Sequence, residues 1–231
     1  MKGIFKDIFS VFFPKYCLGC NTIINDFEDF LCVECSNKLK ETNFHLLEKN
    51  PLYHKFFGKI TLSCATALLY FQKQGVTQQL IHHLKYHKQE NIGQWLGKWL
   101  GNRLQQSPYY QHIDTVIPVP IHPKKLKIRG YNQVELFARE LALSLNATYV
   151  DNVLIKTHSN TAQAKKHWFE RQKDNQNLFT IQNTEKIIGK NILLVDDVIT
   201  TGATIEVCAN ALLQAERVTI GIACMAYVEN E

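Results

Sequence analysis

The stretch Ile192-Leu193-Leu194-Val195-Asp196-Asp197-Val198-Ile199-Thr200-Thr201-Gly202-Ala203-Thr204 joins an apolar run to a helical pattern through two carboxylates and a small-residue turn. Four large apolar residues in a row, led by Asn191, read as a strand buried on both faces. Ligands of open α/β sheets bind just beyond the carboxyl ends of the strands. A helix that starts there offers free backbone N–H groups and the positive end of its dipole to an anion. Thr200, Thr201 and Thr204 add hydroxyl donors, and Gly202 and Ala203 let the backbone approach closely. Asp196 and Asp197 cannot hold the anion, because like charges repel. They suit hydroxyls on a sugar that carries a phosphate. A Walker loop would need a lysine after the glycine, and a dinucleotide fingerprint would need three spaced glycines. The plainer alternative is a Thr-capped helix after an ordinary buried strand.

Outward from this segment the pattern alternates. A helix over Ala203–Gln214 and a strand over Val218–Tyr227 complete a strand, helix, strand unit, which implies a parallel sheet with covering helices. Upstream, Ala65–Phe71 reads as a buried strand, and Val76, Leu80, Ile81 and Leu84 share one helical face. A second helix is expected over 91–106 and a short strand over Thr115–Pro120. A basic turn then leads to a helix over 132–146 and a strand near Tyr149–Ile155. The polar segment 156–177 has the length and composition of a lid that excludes water when substrate binds. Ile4, Phe5, Ile8, Phe9, Phe12 and Phe13 have the spacing of a short amphipathic helix that Pro14 would end. Residues 41–60 look like a connector, with a turn at Asn50-Pro51. The expected division is 1–40 for the helix and a cysteine module, 41–62 for the connector and 63–231 for an α/β domain.

The chain has 231 residues, 45% of them hydrophobic and 20% charged, which excludes a disordered chain or a fibrous repeat. No apolar stretch approaches the roughly 18 residues of a membrane span. The Phe-rich start is broken by charge and has no small-residue cleavage site, so a signal peptide is not expected. The net charge is +5, and the segment from Pro120 to Asn175 holds ten Lys/Arg against five Asp/Glu. A basic stretch of this kind suits phosphate-bearing partners.

Seven cysteines divide into two C-x-x-C pairs, Cys17/Cys20 and Cys32/Cys35, and three single residues, Cys64, Cys208 and Cys224. An odd count with no secretion signal favours a reducing compartment, and the cytoplasm is expected. Four thiolates at this spacing suit a closed tetrahedral zinc site of structural type. An iron–sulfur or redox role, or four unligated thiols, are the alternatives. Asp26, Glu28, Asp29 and Glu34 make the module acidic, so it is expected to organise the fold or meet a partner rather than grip phosphates.

Asp196-Asp197 followed by Thr200-Thr201-Gly202-Ala203-Thr204 resembles the signature of the type I phosphoribosyltransferases. Further segments resemble the bacterial ComF family: Leu84-Lys85-Tyr86, Ile117–Pro123, Arg129-Gly130-Tyr131-Asn132-Gln133, Gln163, Glu170-Arg171 and Asn177-Leu178-Phe179. The resemblance runs from about Tyr16 to Tyr227. It implies an α/β, type I phosphoribosyltransferase-like parallel-sheet domain preceded by a small four-cysteine zinc-binding module. It further implies phosphoribosyl pyrophosphate with Mg²⁺ as ligand, and a link to natural competence. The acids would hold the ribose hydroxyls; Val198 and Thr200–Thr204 would hold the 5′-phosphate. Arg129, Gly130, Asn132 and Gln133 would lie on the pyrophosphate loop, and Arg171 would be the catalytic group of the lid. The plainer readings are a solvated charge for Arg129, helix capping for Asn132 and Gln133, and a surface ion pair for Arg171. Lys85 either reaches the same phosphates or is a solvated charge at a helix end. Lys156 stands where the family more often has arginine, and a bidentate phosphate contact does not survive that exchange.

Two functions remain open at this point. One is a phosphoribosyl transfer to an acceptor that no motif identifies. The other is a non-enzymatic role in handling single-stranded DNA or sensing phosphoribosyl pyrophosphate, with competence-machinery proteins as partners. For the second, Tyr131, Trp168 and Phe169 would offer stacking surfaces among the basic residues of 120–175.

Overall fold

The computed structural model describes residues 14–25, 27–156 and 178–229. The expected helix over 4–13 and residues 157–177 of the lid, with His158, Gln163, His167, Trp168, Phe169, Glu170, Arg171 and Asn177, lie outside the described residues, and Lys156 belongs to a strand. Among the described residues no helix is long and apolar enough to cross a membrane.

The chain begins with an antiparallel pair, β1 (Lys15–Tyr16) and β2 (Ile23–Ile24), followed by α1 (Val33–Asn37), α2 (Pro51–Lys55), β3 (Cys64–Tyr70), α3 (Val76–Tyr86) and α4 (Asn91–Gln105). Then come β4 (Thr115–Pro118), α5 (Pro123–Arg129), α6 (Glu135–Ser144), β5 (Thr148–Tyr149), β6 (Leu154–Lys156) and β7 (Phe179–Ile181). The last third holds β8 (Asn191–Ile199), α7 (Ala203–Leu212) and β9 (Thr219–Tyr227). Five strands form one sheet in the order β3-β9-β8-β4-β5, every neighbouring pair parallel. The expected α/β parallel-sheet fold is therefore the one observed.

Side chains of β8 alternate between two apolar layers, as the pleat requires. Leu193 and Val195 join Leu80 and Leu84 of α3, Leu96 and Leu100 of α4, and Phe137 and Leu141 of α6 on one face. Ile192 and Leu194 join Ile205, Cys208 and Leu212 of α7 on the other. Helices α4 and α6 lie in close contact because Gly97 has no side chain. A Cβ there would stand 2.8 Å from the Phe137 carbonyl oxygen.

Four expectations need correction. The connector is part of the core. Phe44, Leu52 and Phe56 are buried against the α7 face. Asn50-Pro51 is a helix start rather than a turn: the Asn50 side chain accepts from the Tyr53 N–H at 3.0 Å and Pro51 occupies the first turn. The same amide donates to the Ala65 and Phe44 carbonyls at 2.7 and 3.2 Å, tying the segment to β3.

The basic turn is helix α5, capped at its start by the His122 ring, which accepts from the Lys124 N–H at 3.1 Å. Gly130 ends it at φ +91°, a left-handed cap open to glycine without strain. The single strand expected near 149–155 is two. β5 extends the main sheet beside β4, whereas β6 pairs antiparallel with β7 outside it. Local pattern could not separate them, because both are short and half-buried.

Candidate phosphate loop and adjoining basic cleft

Strand β8 does not stop at Val195. Its pairing with β9 continues through Asp196, Val198 and Ile199, opposite Cys224, Ala226 and Tyr227. The acids thus stand on a strand, where successive side chains diverge. Asp196 lines a small recess with Val198, Ile199, Thr200, Thr201, Gly202, Ala203, Thr204 and Ile205. Asp197 points the other way, toward α3 and α6. The turn brings together every loop residue singled out in the sequence, and of the two acids it brings Asp196 alone.

Gly202 makes the turn possible. It enters α7 at φ +84°, and a Cβ there would lie 2.8 Å from the buried Phe56 ring. Thr201 Oγ1 accepts the Ala203 N–H at 3.4 Å, and Thr200, Thr201 and Thr204 are exposed. Hydroxyls, free N–H groups and a helix N-terminus therefore converge at the end of the central strand, an arrangement that binds anions.

Asp197 is held on both oxygens. Lys85 Nζ lies 2.8 Å from Oδ1, and Gln133 donates from Nε2 to Oδ2 at 2.6 Å. Gln133 in turn accepts from the Arg129 guanidinium through Oε1. Lys85 is thus not the solvated charge of the plainer reading. It is the counter-ion of an acid 112 residues away. Asn132 accepts from the Val134 N–H at 3.3 Å in the turn before α6 and donates to the Val119 carbonyl at 3.0 Å. Helix α6 itself is entered at Val134 without a side-chain cap, so the capping reading does not hold for Asn132.

Asp196 is half-buried against Asp197. Burial and then the neighbouring negative charge push its carboxyl up to about 7, against the pull of the Asp197 N–H, Lys85 and Lys156. Lys156 stands on β6 beside the Phe179 ring at 4.8 Å, and its charge helps to limit the rise of the Asp196 carboxyl. Nothing local in the sequence marked Lys85 or Lys156 as neighbours of these acids, because strand order decides it.

A second opening lies where α3 ends against α5. Lys85, Tyr86, Lys88, Lys125, Ile128 and Arg129 line it. Tyr131 does not offer a stacking face, contrary to expectation. It is buried and its hydroxyl donates to the Leu84 carbonyl.

In the N-terminal module the sulfurs of Cys17, Cys20, Cys32 and Cys35 all lie within 4.8 Å of one another. The Cys20 and Cys32 sulfurs are 3.7 Å apart, close to the ~3.8 Å edge of a tetrahedron with ~2.3 Å metal–sulfur bonds. Backbone N–H groups of Gly19 and Cys32 point at Cys17 Sγ, at 3.4 and 3.3 Å, and that of Cys35 at Cys32 Sγ, at 3.4 Å. The Thr22 hydroxyl, 3.0 Å from Cys20 Sγ, helps to bring that thiol down to about 6. This donor set fits a metal ion and could hold one.

The sheet, the acid-tipped strand and the threonine loop define the class. Residues 129–230 match the family model described as the phosphoribosyl transferase domain. The DNA utilization protein YhgH of Escherichia coli O157:H7 is 26% identical over 204 residues, covering 84% of this chain and 83% of that protein. Competence protein ComFC of Bacillus subtilis is 33% identical over 99 residues, 43% of this chain and 38% of that one. Competence protein F of Haemophilus influenzae is 29% identical over 94 residues, 40% of this chain and 41% of that one. Among solved structures, the allosteric regulatory enzyme of purine biosynthesis aligns at 19% identity with a TM-score of 0.44, over 62% of this chain and 30% of its own. The chain is thus similar to the ComF-family competence proteins, and its parallel sheet is that of a type I phosphoribosyltransferase-like domain.

Proposed function

We propose that this protein binds phosphoribosyl pyrophosphate with Mg²⁺, the 5′-phosphate on Val198 and Thr200–Thr204 and the ribose hydroxyls on the Asp196-Asp197 pair. The observation that carries this reading is the recess itself, in which an acid at the strand end adjoins an exposed threonine turn and a helix N-terminus. Gln133 and Arg129 are placed beside Asp197 and would meet the pyrophosphate arm, with Gly130 leaving the turn open. Mg²⁺ would neutralise pyrophosphate charge. In a transfer, the bond from C1′ to pyrophosphate oxygen breaks and a bond from C1′ to an acceptor forms. The chain's part is to position both partners and exclude water. Asp196 lines the recess and would meet the sugar first, while Asp197 would accept a hydroxyl beside the Lys85 and Gln133 contacts that fix it. Zinc would occupy the four-cysteine cluster and close the module.

Calorimetric titration of phosphoribosyl pyrophosphate with Mg²⁺ tests this, comparing the native chain with the Asp196→Asn/Asp197→Asn variant. Binding that the variant loses supports the site. No binding to the native chain overturns it.

A second reading is a part in natural competence through single-stranded DNA. The names of the relatives, DNA utilization protein and competence protein, favour it, as do the cations of α5. Gel shifts with single-stranded oligonucleotides across a salt series decide it. DNA binding through phosphates weakens steeply with salt, and flat or absent binding sinks the reading.

A further inference from the structure

The cleft between the end of α3 and helix α5 is not used by the phosphate loop. It offers about 230 Å³ and is partly open to solvent, below the ~300–1,000 Å³ of a drug-sized ligand pocket and suited to a small ligand held partly in solvent. Of the six described residues that line it, four are cations, Lys85, Lys88, Lys125 and Arg129, and none of the six is acidic. The other two are large and bare: Tyr86 is 67% exposed and Ile128 84%. Arg129 lies over the Tyr86 ring at 5.6 Å, giving a flat wall of mixed aromatic and guanidinium character.

Cations alone would suit inorganic phosphate or pyrophosphate. Such an ion leaves Tyr86 and Ile128 in water and gives no reason for a planar apolar wall beside the charges. A purely aromatic ligand leaves the charges of Lys88, Lys125 and Arg129 without an anion, Lys85 being paired with Asp197. A ligand that satisfies both halves carries an anion and a flat ring together.

We propose that this cleft is a second ligand site, separate from the Thr200–Thr204 loop, that takes a nucleoside 5′-phosphate. The phosphate sits among Lys88, Lys125 and Arg129, and the base lies against Tyr86 and Ile128. Bases stack on aromatic and guanidinium planes with little regard to sequence, so the site does not choose strongly among bases. The same chemistry comes from a free mononucleotide or from the 5′-phosphorylated end of a strand. None of these contacts belongs to the Thr200–Thr204 loop, but Arg129 is shared with the pyrophosphate arm proposed above, so the inference rests on Tyr86, Lys88, Lys125 and Ile128 and its test leaves Arg129 unchanged.

The test is calorimetric titration with AMP, adenosine and inorganic phosphate. Three proteins are compared: the native chain, the Tyr86→Ala/Lys88→Ala/Lys125→Ala variant and a Thr200→Val/Thr201→Val loop variant. All three cleft substitutions are at exposed positions, and unchanged thermal melting checks the fold. The expected result is AMP binding at least tenfold tighter than either fragment, weakened tenfold or more in the cleft variant. Competition then names the source. Displacement of AMP by a 5′-phosphorylated oligonucleotide but not by its 5′-hydroxyl form points to strand ends, and displacement by neither points to the free nucleotide. Both outcomes keep the site. AMP affinity unchanged in the cleft variant but lost in the loop variant overturns the proposal and leaves the phosphoribosyl reading standing. Phosphate binding as tightly as AMP, or no AMP binding at all, also overturns it.

Discussion

Lys85 and Asp197 form an ion pair at 2.8 Å across 112 residues, with side chains only 23% and 9% exposed. Gln133 holds the second oxygen of the same carboxylate at 2.6 Å. The pair joins the end of α3 to the end of β8, so it ties the wall of the basic cleft to the strand that carries the loop.

Breaking this pair from either side strands a charge in a mostly buried place. Lys85→Met is expected to destabilise the fold by about 1–3 kcal/mol, the range for a charged hydrogen bond lost from the interior. A double-mutant cycle with Asp197→Asn, read by urea denaturation, checks it. Additivity within about 0.5 kcal/mol would mean that the two side chains do not interact energetically.

The Asp196 carboxyl, at about 7 against an ordinary 3.8, sets a pH dependence. Between those values the folded chain holds a proton that the unfolded chain releases, so this group lowers stability as pH rises from about 4 to 7. Above 7 its cost is complete and constant. Asp196→Asn removes it. The stability advantage of the variant is expected to widen from pH 5 to 7 and level off by pH 8.5 in urea titrations.

Gly202→Ala puts a Cβ at φ +84° and 2.8 Å from the Phe56 ring, which is buried and cannot swing away. The left-handed conformation alone costs about 1–2 kcal/mol for an alanine. A loss of about 2–3 kcal/mol in stability is expected, together with at least tenfold weaker ribose 5-phosphate binding by calorimetry. A variant that melts like the native chain would show that the turn relaxes without strain.

Asn50→Ala removes the cap of α2 and takes the side-chain donor from the Ala65 carbonyl, while the Phe44 carbonyl keeps the Leu47 N–H. The expected cost is about 1–3 kcal/mol, from a lost cap and a weakened buried acceptor. Chemical denaturation of the variant measures it, and a change below about 0.5 kcal/mol would mean that the Asn50 side chain contributes neither.

In the cysteine module, elemental analysis of the chain purified without added metal is expected to find a single zinc ion, lost in the Cys32→Ser/Cys35→Ser variant. Iron in its place would support the cluster alternative instead.

The central strand, the threonine turn and the paired cysteines were legible because each is local. Strand β8 announces itself through four consecutive apolar residues, and the C-x-x-C spacing places two sulfurs on one turn whatever surrounds them. The helix α5 was not legible, because it buries no side chain and so leaves no apolar period to read. The core role of 41–62 was hidden for a related reason: Phe44, Leu52 and Phe56 belong to short elements with no repeating pattern, and only β3 shows where they pack.

By itself the sequence determined the alternation of strands and helices, the acids at the strand end, the turn that follows them and the four thiols. These follow from side-chain period, backbone freedom at Gly202 and residue spacing over a dozen positions. Only the tertiary structure decided which face each acid takes and what meets it there. Asp196 turns to the loop recess and Asp197 to Lys85 and Gln133, 112 and 64 residues away. The physical reason is the pleat: neighbours on a strand part to opposite faces, and which helix covers each face is set by strand order, which no local pattern encodes.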